Sequence, residues 1–122
     1  MAIDADKLAL EVLQLRGLGS GGDALSAVAL AINKAIVDLN NFAGQSLDEL
    51  STTAETFGDI DISTSYGNPL RQLIDYHLER SPFWKREDRL VSDAERLNAL
   101  GDARRIKGVT WSGPNLGYDS AS

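Results

Sequence analysis

The chain has 122 residues, a formal net charge of −6 and no cysteine. This length fits one domain, which can bury enough surface to fold without metals or disulfides. The lack of cysteine excludes thiol catalysis, disulfide frameworks and zinc sites built on thiolates. The acidic start predicts no leader peptide, and the longest uncharged run, Ala24 to Asn33, is too short to cross a bilayer. We therefore expect a soluble, unprocessed protein with no membrane contact.

The negative charge lies in the first half of the chain. Residues 1–66 carry a net charge of −7, and residues 67–122 carry +1. An acidic balance opposes gripping of a nucleic-acid duplex, because such affinity comes largely from cations that displace counterions. The one basic cluster, Arg104 to Lys107, ends a predicted helix, where cations interact favourably with the helix dipole.

The N-terminal part predicts a short helix over Asp6 to Arg16, which Gly17 ends. A glycine-rich linker follows at 17–22 and leads to Asp23, a good N-cap for the next helix. The linker glycines have the spacing of a dinucleotide-binding loop. They follow a helix instead of a strand, so we predict no phosphate site there.

The clearest element is a long amphipathic helix from Asp23 to Phe42, because apolar residues recur at three- and four-residue spacing. Additional alanines widen its apolar surface beyond one stripe. That second side is covered either by the chain's own core or by a neighbouring subunit. The apolar positions are Leu25, Val28, Ile32, Ile36 (or Ala35), Leu39 and Phe42.

The region 45–66 has a weak helical signal. Ser46 to Glu49 fits a capping box that opens one short turn, and the threonines that follow favour extended backbone. The alternation that starts at Asp59 predicts a strand or an extended arm. A single strand must pair with something, so we expect it to pair with Val109 to Trp111 or with another copy.

Two further helices are predicted, over Asn68 to Arg80 and over Lys85 to Lys107. Asn68 is the candidate N-cap of the first, followed by proline at the first helical position. Phe83 and Trp84 lie at the corner between the helices and would lock the second one against the core. The second helix takes its apolar positions from Leu90 (or Val91), Ala94, Leu97 and Leu100, with a kink expected at Gly101.

Candidate catalytic residues form no convincing set. His77 is the single histidine, and we expect it to be packed or hydrogen-bonded. Ser81, His77 and Asp75 could form a relay on paper, but residues so close on one helix diverge around its axis. Asp59 and Asp61 lack the further oxygen ligands that a divalent ion needs. We predict no enzyme activity, no cofactor and no metal.

The tail from Gly108 to Ser122 is rich in large apolar residues, although its glycines and Pro114 disfavour helix and central strand. Aromatic side chains gain free energy only when buried, so this composition predicts burial against another molecule. Stacking on nucleic-acid bases is less favoured, because no cations are interleaved. The predicted contact residues are Val109, Trp111, Leu116 and Tyr118.

These elements together predict a mostly α fold. A small bundle of about four helices would occupy residues 1–107, with an irregular arm or short strand at 45–67. An extended C-terminal tail would follow at 108–122.

The order of long helix, arm, paired helices and extended tail resembles the head-to-tail adaptor (connector) proteins of tailed bacteriophages. The resemblance implies a non-catalytic virion protein of the neck, assembled in the host cytoplasm as a ring, usually of twelve copies, between the portal protein and the tail or neck proteins. DNA would pass through without specific binding. It further implies that Val109, Trp111, Leu116 and Tyr118 dock on the portal, and that the arm residues contact a subunit or the tail. Those arm residues are Phe57, Ile60, Ile62 and Tyr66.

A different class also fits the sequence. A small cytosolic helical interaction module, such as a regulator or antitoxin, would likewise lack catalytic residues and would order its tail on a protein partner. Such a module would be monomeric or dimeric, so light scattering separates it from a ring former.

Overall fold

The computed structural model of the protein describes residues 2–19, 21–51, 56–84 and 89–108. These residues form four α-helices, two short strands and one 3-10 turn, which confirms the predicted mostly α fold. The predicted C-terminal tail beyond Gly108 lies outside the described residues. The elements are β1 (Ile3–Asp4), α1 (Ala5–Leu15), α2 (Gly22–Phe42), β2 (Asp59–Ile60), the 3-10 turn (Thr64–Tyr66), α3 (Gly67–Glu79) and α4 (Asp93–Lys107).

Helix α2 is the central helix, and α1, α3 and α4 all pack against it. Four of the apolar residues that set its periodicity are fully buried, whereas Leu25 is partly buried and Phe42 is 46% exposed. Ala27 and Asn33 on the two flanks are buried too. This buried arc covers about two-thirds of the helix circumference. The chain's own core therefore covers the wide apolar surface, and only a narrow exposed strip is left for a neighbour. The fully buried residues are Val28, Ile32, Ile36 and Leu39.

Two asparagines of α2 hold the first part of the arm, residues 44–51, against the helix. The Asn40 side chain donates to the Leu47 carbonyl (3.0 Å) and accepts from the Leu47 N–H (2.8 Å). Asn33 does the same with Leu50, at 3.0 and 2.7 Å. Because an amide side chain offers both a donor and an acceptor, each asparagine satisfies both backbone groups of one residue. Residues Ser46 to Glu49 form no helical turn, so the predicted capping box is wrong.

The strand in the arm pairs with the N-terminus of the same chain. Strands β1 and β2 are antiparallel, with Ile3 opposite Ile60 and Asp4 opposite Asp59. The prediction did not name this partner, and Val109 to Trp111 lie outside the described residues. The two-residue β1 satisfies the arm backbone, and it directly precedes α1, whose N-cap is Asp4.

Helix α3 begins one residue before the predicted start. A 3-10 turn runs directly into it, and Ser63 caps that turn by accepting from the Ser65 N–H at 3.2 Å. Asn68 lies inside the first turn of α3 and is not its N-cap. The helix buries Leu70, Leu73, Ile74 and Leu78 against the core.

Helix α4 begins at Asp93, later than the predicted start at Lys85 to Asp88. Ser92 and Glu95 form a capping box: the Ser92 hydroxyl accepts from the Glu95 N–H (3.2 Å) and the Glu95 carboxylate accepts from the Ser92 N–H (2.9 Å). Residues 89–92 are not helical, and residues 85–88 lie outside the described part of the chain. The predicted start is therefore wrong.

The core-facing side of α4 contains Leu100, as predicted, together with small residues that the prediction did not place there. Leu97 is 54% exposed, whereas Ala99 and Ala103 are fully buried. Small side chains let α4 approach α2 and α3 closely, so the leucine turns outward. The helix continues through Gly101 without interruption and ends at Gly108, whose φ of +86° is favourable for glycine.

Candidate functional site

A groove of about 770 Å³ lies between the N-terminal half of α2 and the corner that follows α3. It is larger than a second concavity of about 460 Å³ that lies beside β1, α1 and the start of α3. Its size is within the range of ligand-binding pockets, about 300–1,000 Å³. Its lining residues are Asp23, Ser26, Ala27, Leu30, Ala31, Lys34, His77, Ser81, Pro82 and Phe83.

The exposed strip of α2 forms one wall of this groove. Ser26, Leu30 and Lys34 share that strip, since they are spaced four residues apart. Leu30 is 53% exposed and supplies apolar surface to this wall. Ala27 and Ala31 lie beside the strip and make the wall concave because their side chains are short. The groove therefore combines an apolar surface with a cation at one end.

The opposite wall is the corner at residues 81–84. The Ser81 hydroxyl donates to the Leu78 carbonyl at 2.7 Å, and the Ser81 carbonyl accepts from the Trp84 N–H at 3.1 Å. Trp84 is buried, and the Arg16 guanidinium lies 5.3 Å from its ring centroid. Local hydrogen bonds and a buried aromatic side chain thus fix the shape of this wall, which presents Phe83 to the groove.

His77 lies where the groove meets a polar cluster that joins three helices. Its Nε2 is 2.7 Å from Asp38 Oδ2 on α2. Arg96 on α4 donates to both oxygens of the same carboxylate, at 2.8 and 3.2 Å. Burial of Asp38 opposes its ionisation, but the hydrogen bonds from His77 and Arg96 outweigh that effect and lower its pKa. Because an ionised carboxylate only accepts, His77 Nε2 carries the proton.

Tyr76 continues this cluster towards solvent. Its hydroxyl donates to Asp93 Oδ1 at 2.6 Å, and this hydrogen bond raises the pKa of the Tyr76 phenol. The guanidinium of Arg80 lies 3.7 Å from the ring centroid, and that of Arg96 lies 5.3 Å from it. Cation–π contact and the hydrogen bond together tie the start of α4 to α3.

A second cluster surrounds Glu79, which is 1% exposed. Its carboxylate accepts from the Leu90 and Val91 N–H groups at 2.9 and 3.1 Å and lies 2.5 Å from Arg16 Nη1. Arg16 Nε also bonds Asp75 at 3.3 Å, yet burial keeps the pKa of Asp75 raised. A buried carboxylate therefore fixes the segment that leads into α4.

The described members of the predicted partner surface lie inward. Ile60, Ile62 and Tyr66 are buried in the core of the chain, and Phe57 packs partly buried against it. The Tyr66 hydroxyl accepts from Gln45 Nε2 at 3.0 Å. Ile60, Ile62 and Tyr66 therefore stabilise their own subunit, which corrects their assignment to a partner contact, whereas the contact through Phe57 stays a prediction. Val109, Trp111, Leu116 and Tyr118 lie outside the described residues.

The candidate catalytic residues do not come together. His77 pairs with Asp38, Asp75 pairs with Arg16, and the Ser81 hydroxyl donates to a backbone carbonyl. The expectation that His77 is hydrogen-bonded is confirmed. No group of three or more potential metal ligands is arranged to hold a metal ion within residues 2–19, 21–51, 56–84 and 89–108. In the same residues, none of the helices has the length and apolar character that a membrane span needs.

Sequence reasoning missed the groove and the partner of His77. The signal for the groove was present: Leu30 breaks the buried pattern of α2 while Ser26 and Lys34 flank it at helical spacing. Asp38 is 39 residues from His77 and no local pattern joins them.

Comparisons with protein-family models, curated proteins and solved structures find no match to this chain.

Proposed function

We propose that the protein is a non-catalytic assembly subunit, of the kind that forms the head-to-tail connector ring of a tailed bacteriophage. The single observation that carries the proposal is a complete helical core that still leaves large apolar side chains exposed on three of its four helices. These residues are Leu10 and Leu15 on α1, Leu30, Val37 and Phe42 on α2, and Leu97 and Ile106 on α4. Exposed apolar surface on several sides favours contacts with more than one neighbour.

A ring requires two different faces on each subunit, because its contacts are head-to-tail. The exposed apolar residues of α1 and those of α4 belong to separate helices of the bundle, as two different faces require. The apolar tail supplies a further contact segment, and in connector rings that segment would dock on the portal. Ile60, Ile62 and Tyr66 of the arm are buried in their own subunit and are not included in the contact surface.

The charge arrangement supports a conduit that does not grip DNA. Three of the arginines are paired with carboxylates of the same chain: Arg16 with Glu79, Arg71 with Glu11, and Arg96 with Asp38. The excess negative charge of the chain, repeated around a ring, would repel the duplex. The isolated assembly should therefore show no measurable duplex affinity at low salt, and tight salt-sensitive binding would overturn this part of the proposal.

Light scattering on the purified full chain tests the assembly itself. A particle of many subunits, with twelve as the expected number, supports the proposal. A monomer or dimer at all concentrations overturns it and favours a small interaction module instead.

Replacing both Trp111 and Tyr118 with alanine should abolish attachment to the portal while the helical circular dichroism stays unchanged. Unchanged attachment would remove the tail from the proposed contact.

A further inference from the structure

We propose that the groove between α2 and the corner at residues 81–84 receives the C-terminal tail of a second copy of this chain. This inference rests on the proposed function, and it divides the tail between two contacts. The distal part around Tyr118 would join neighbours in the ring, and the part around Trp111 would remain for the portal. The argument uses the position at which α4 ends, the length of the chain beyond it and the chemistry of the groove.

The tail starts near the C-terminal end of α2, whereas the groove lies along the first half of that helix. Arg104 on α4 donates to the Phe42 carbonyl at the last residue of α2, at 2.6 Å, and α4 ends three residues later. The groove lies along the first half of α2, from Asp23 to Lys34. With a rise of about 1.5 Å per residue, Leu30 is about 18 Å along the axis from Phe42. Chain exit and groove are therefore at different ends of α2, as a head-to-tail contact requires.

The length of the tail is sufficient for such a contact. Residues 109–122 are 14 residues, which span at most about 50 Å when extended. A reach of this order crosses from the end of one small helical subunit to the groove of the next. The apolar residues of the tail are distributed over it, from Val109 to Tyr118, so an anchor is available at both short and long reach.

The groove chemistry matches the tail. Leu30, Ala31 and Phe83 offer an apolar surface for an aromatic anchor, the kind of side chain that dominates binding energy at interfaces. Lys34 lies at one side of that surface, and in the tail Tyr118 is followed directly by Asp119, the single charged side chain after Lys107. Asp23 lies about 16 Å from Lys34 along α2, so its carboxylate is away from this end of the groove.

Cysteine cross-linking in the full chain tests the inference, because the natural sequence has no cysteine. Ser26→Cys places a thiol on the groove wall, and Gly117→Cys places one in the tail without removing Leu116 or Tyr118. We expect the two single variants, when mixed and oxidised, to form a disulfide-linked heterodimer. The matched control is Gln14→Cys, exposed on α1 and outside the groove, and its heterodimer yield with Gly117→Cys should be at least about tenfold lower.

The outcomes separate this inference from the ring proposal. Equal linking at Ser26 and Gln14, or no linking, overturns the inference, and a multi-subunit particle in light scattering would still support the ring. If the chain carrying both Ser26→Cys and Gly117→Cys closes an internal disulfide at a rate independent of dilution, the tail occupies its own groove and the second-copy contact is wrong. Adding Tyr118→Ala to the tail variant should lower the heterodimer yield severalfold if the contact is specific.

Discussion

His77 Nε2 lies 2.7 Å from Asp38 Oδ2, although the two residues are 39 positions apart and on different helices. Arg96 from a third helix binds the same carboxylate. Asp38 is 6% exposed, so the charge is satisfied almost entirely by protein groups. These three residues thus form a polar cluster beside the apolar core, and this cluster fixes the position of α4 on α2 and α3.

Replacing Asp38 with alanine should lower the free energy of unfolding by about 2–3 kcal/mol. Breaking a fully buried ion pair costs about 3–5 kcal/mol, but Arg96 is a quarter exposed and water would compensate part of the loss. Urea unfolding followed by circular dichroism measures the change. The control is Asp102→Ala, which removes an exposed pair with Arg105 and should change stability by less than about 1 kcal/mol. Equal losses would contradict the assigned role of Asp38.

The Asp38 contribution should depend on pH in a defined direction. Its pKa is lowered on folding, so the native state holds the proton less tightly than the unfolded chain. The stabilisation is therefore complete above the unfolded pKa of about 4 and decreases as pH falls through the lower folded value. The stability difference between the natural chain and Asp38→Asn should accordingly shrink below about pH 4.

Asp75 should show the opposite sign. Burial raises its pKa, so the ionised form is penalised on folding and the penalty appears as pH rises above about 4. Relative to the natural chain, Asp75→Asn should therefore gain stability as pH increases through this range. Urea unfolding at a series of pH values tests both variants, and parallel pH profiles for Asp38→Asn and Asp75→Asn would refute the two assignments.

Replacing Asn33 with alanine should release the arm at Leu50. Two hydrogen bonds are lost and two backbone groups lose their partner, which costs about 1–3 kcal/mol. Amide exchange at Leu50 should accelerate, while exchange at Leu47, held by Asn40, changes less. Asn41→Ala is the control, because Asn41 is exposed on the same helix. An unchanged Leu50 exchange rate would show that other contacts hold this segment.

Glu79→Gln should loosen the segment before α4 more than it perturbs α3. Glutamine keeps the size of the side chain but replaces one oxygen with a donor, which faces the Leu90 or Val91 N–H group. We expect a loss of about 2–4 kcal/mol and faster exchange of both amides. Glu11→Gln is the control, since its pair with Arg71 is more exposed. Protection that persists at both amides would contradict the role of Glu79.

The sequence was sufficient for features that are repeated or local. Helix α2 follows from its periodicity over six turns, and Gly17 ends α1 with a φ of +68° as a glycine readily does. The start of α4 is also encoded locally, because Ser92 and Glu95 have the spacing of a capping box. The prediction instead follows the charged residues upstream and places the start near Lys85. Local signals compete, and the cap decides where a charged helix begins.

Contacts between distant residues were not readable. A two-residue strand such as β1 has no periodicity, so its pairing with the arm is invisible before the fold is known. The inward orientation of Ile60 and Ile62 depends on that pairing. Leu97 is a large apolar residue of the kind expected in a core. Ala99 and Ala103 nevertheless take the inner side, because α4 lies close to its neighbours. In each case tertiary packing overrides the local pattern.

The two asparagine contacts on α2 also restrict how residues 44–51 can evolve. Asn33 and Asn40 are seven helical residues apart, about 10.5 Å at 1.5 Å per residue, and Leu47 and Leu50 are three extended residues apart, about 10 Å. The distance between the two asparagines matches the distance between their backbone partners only when three residue steps separate Leu47 from Leu50. Inserting or deleting one residue between Leu47 and Leu50 would therefore leave at most one asparagine opposite its partner. Length variation in this part of the chain should therefore be confined to either side of that interval.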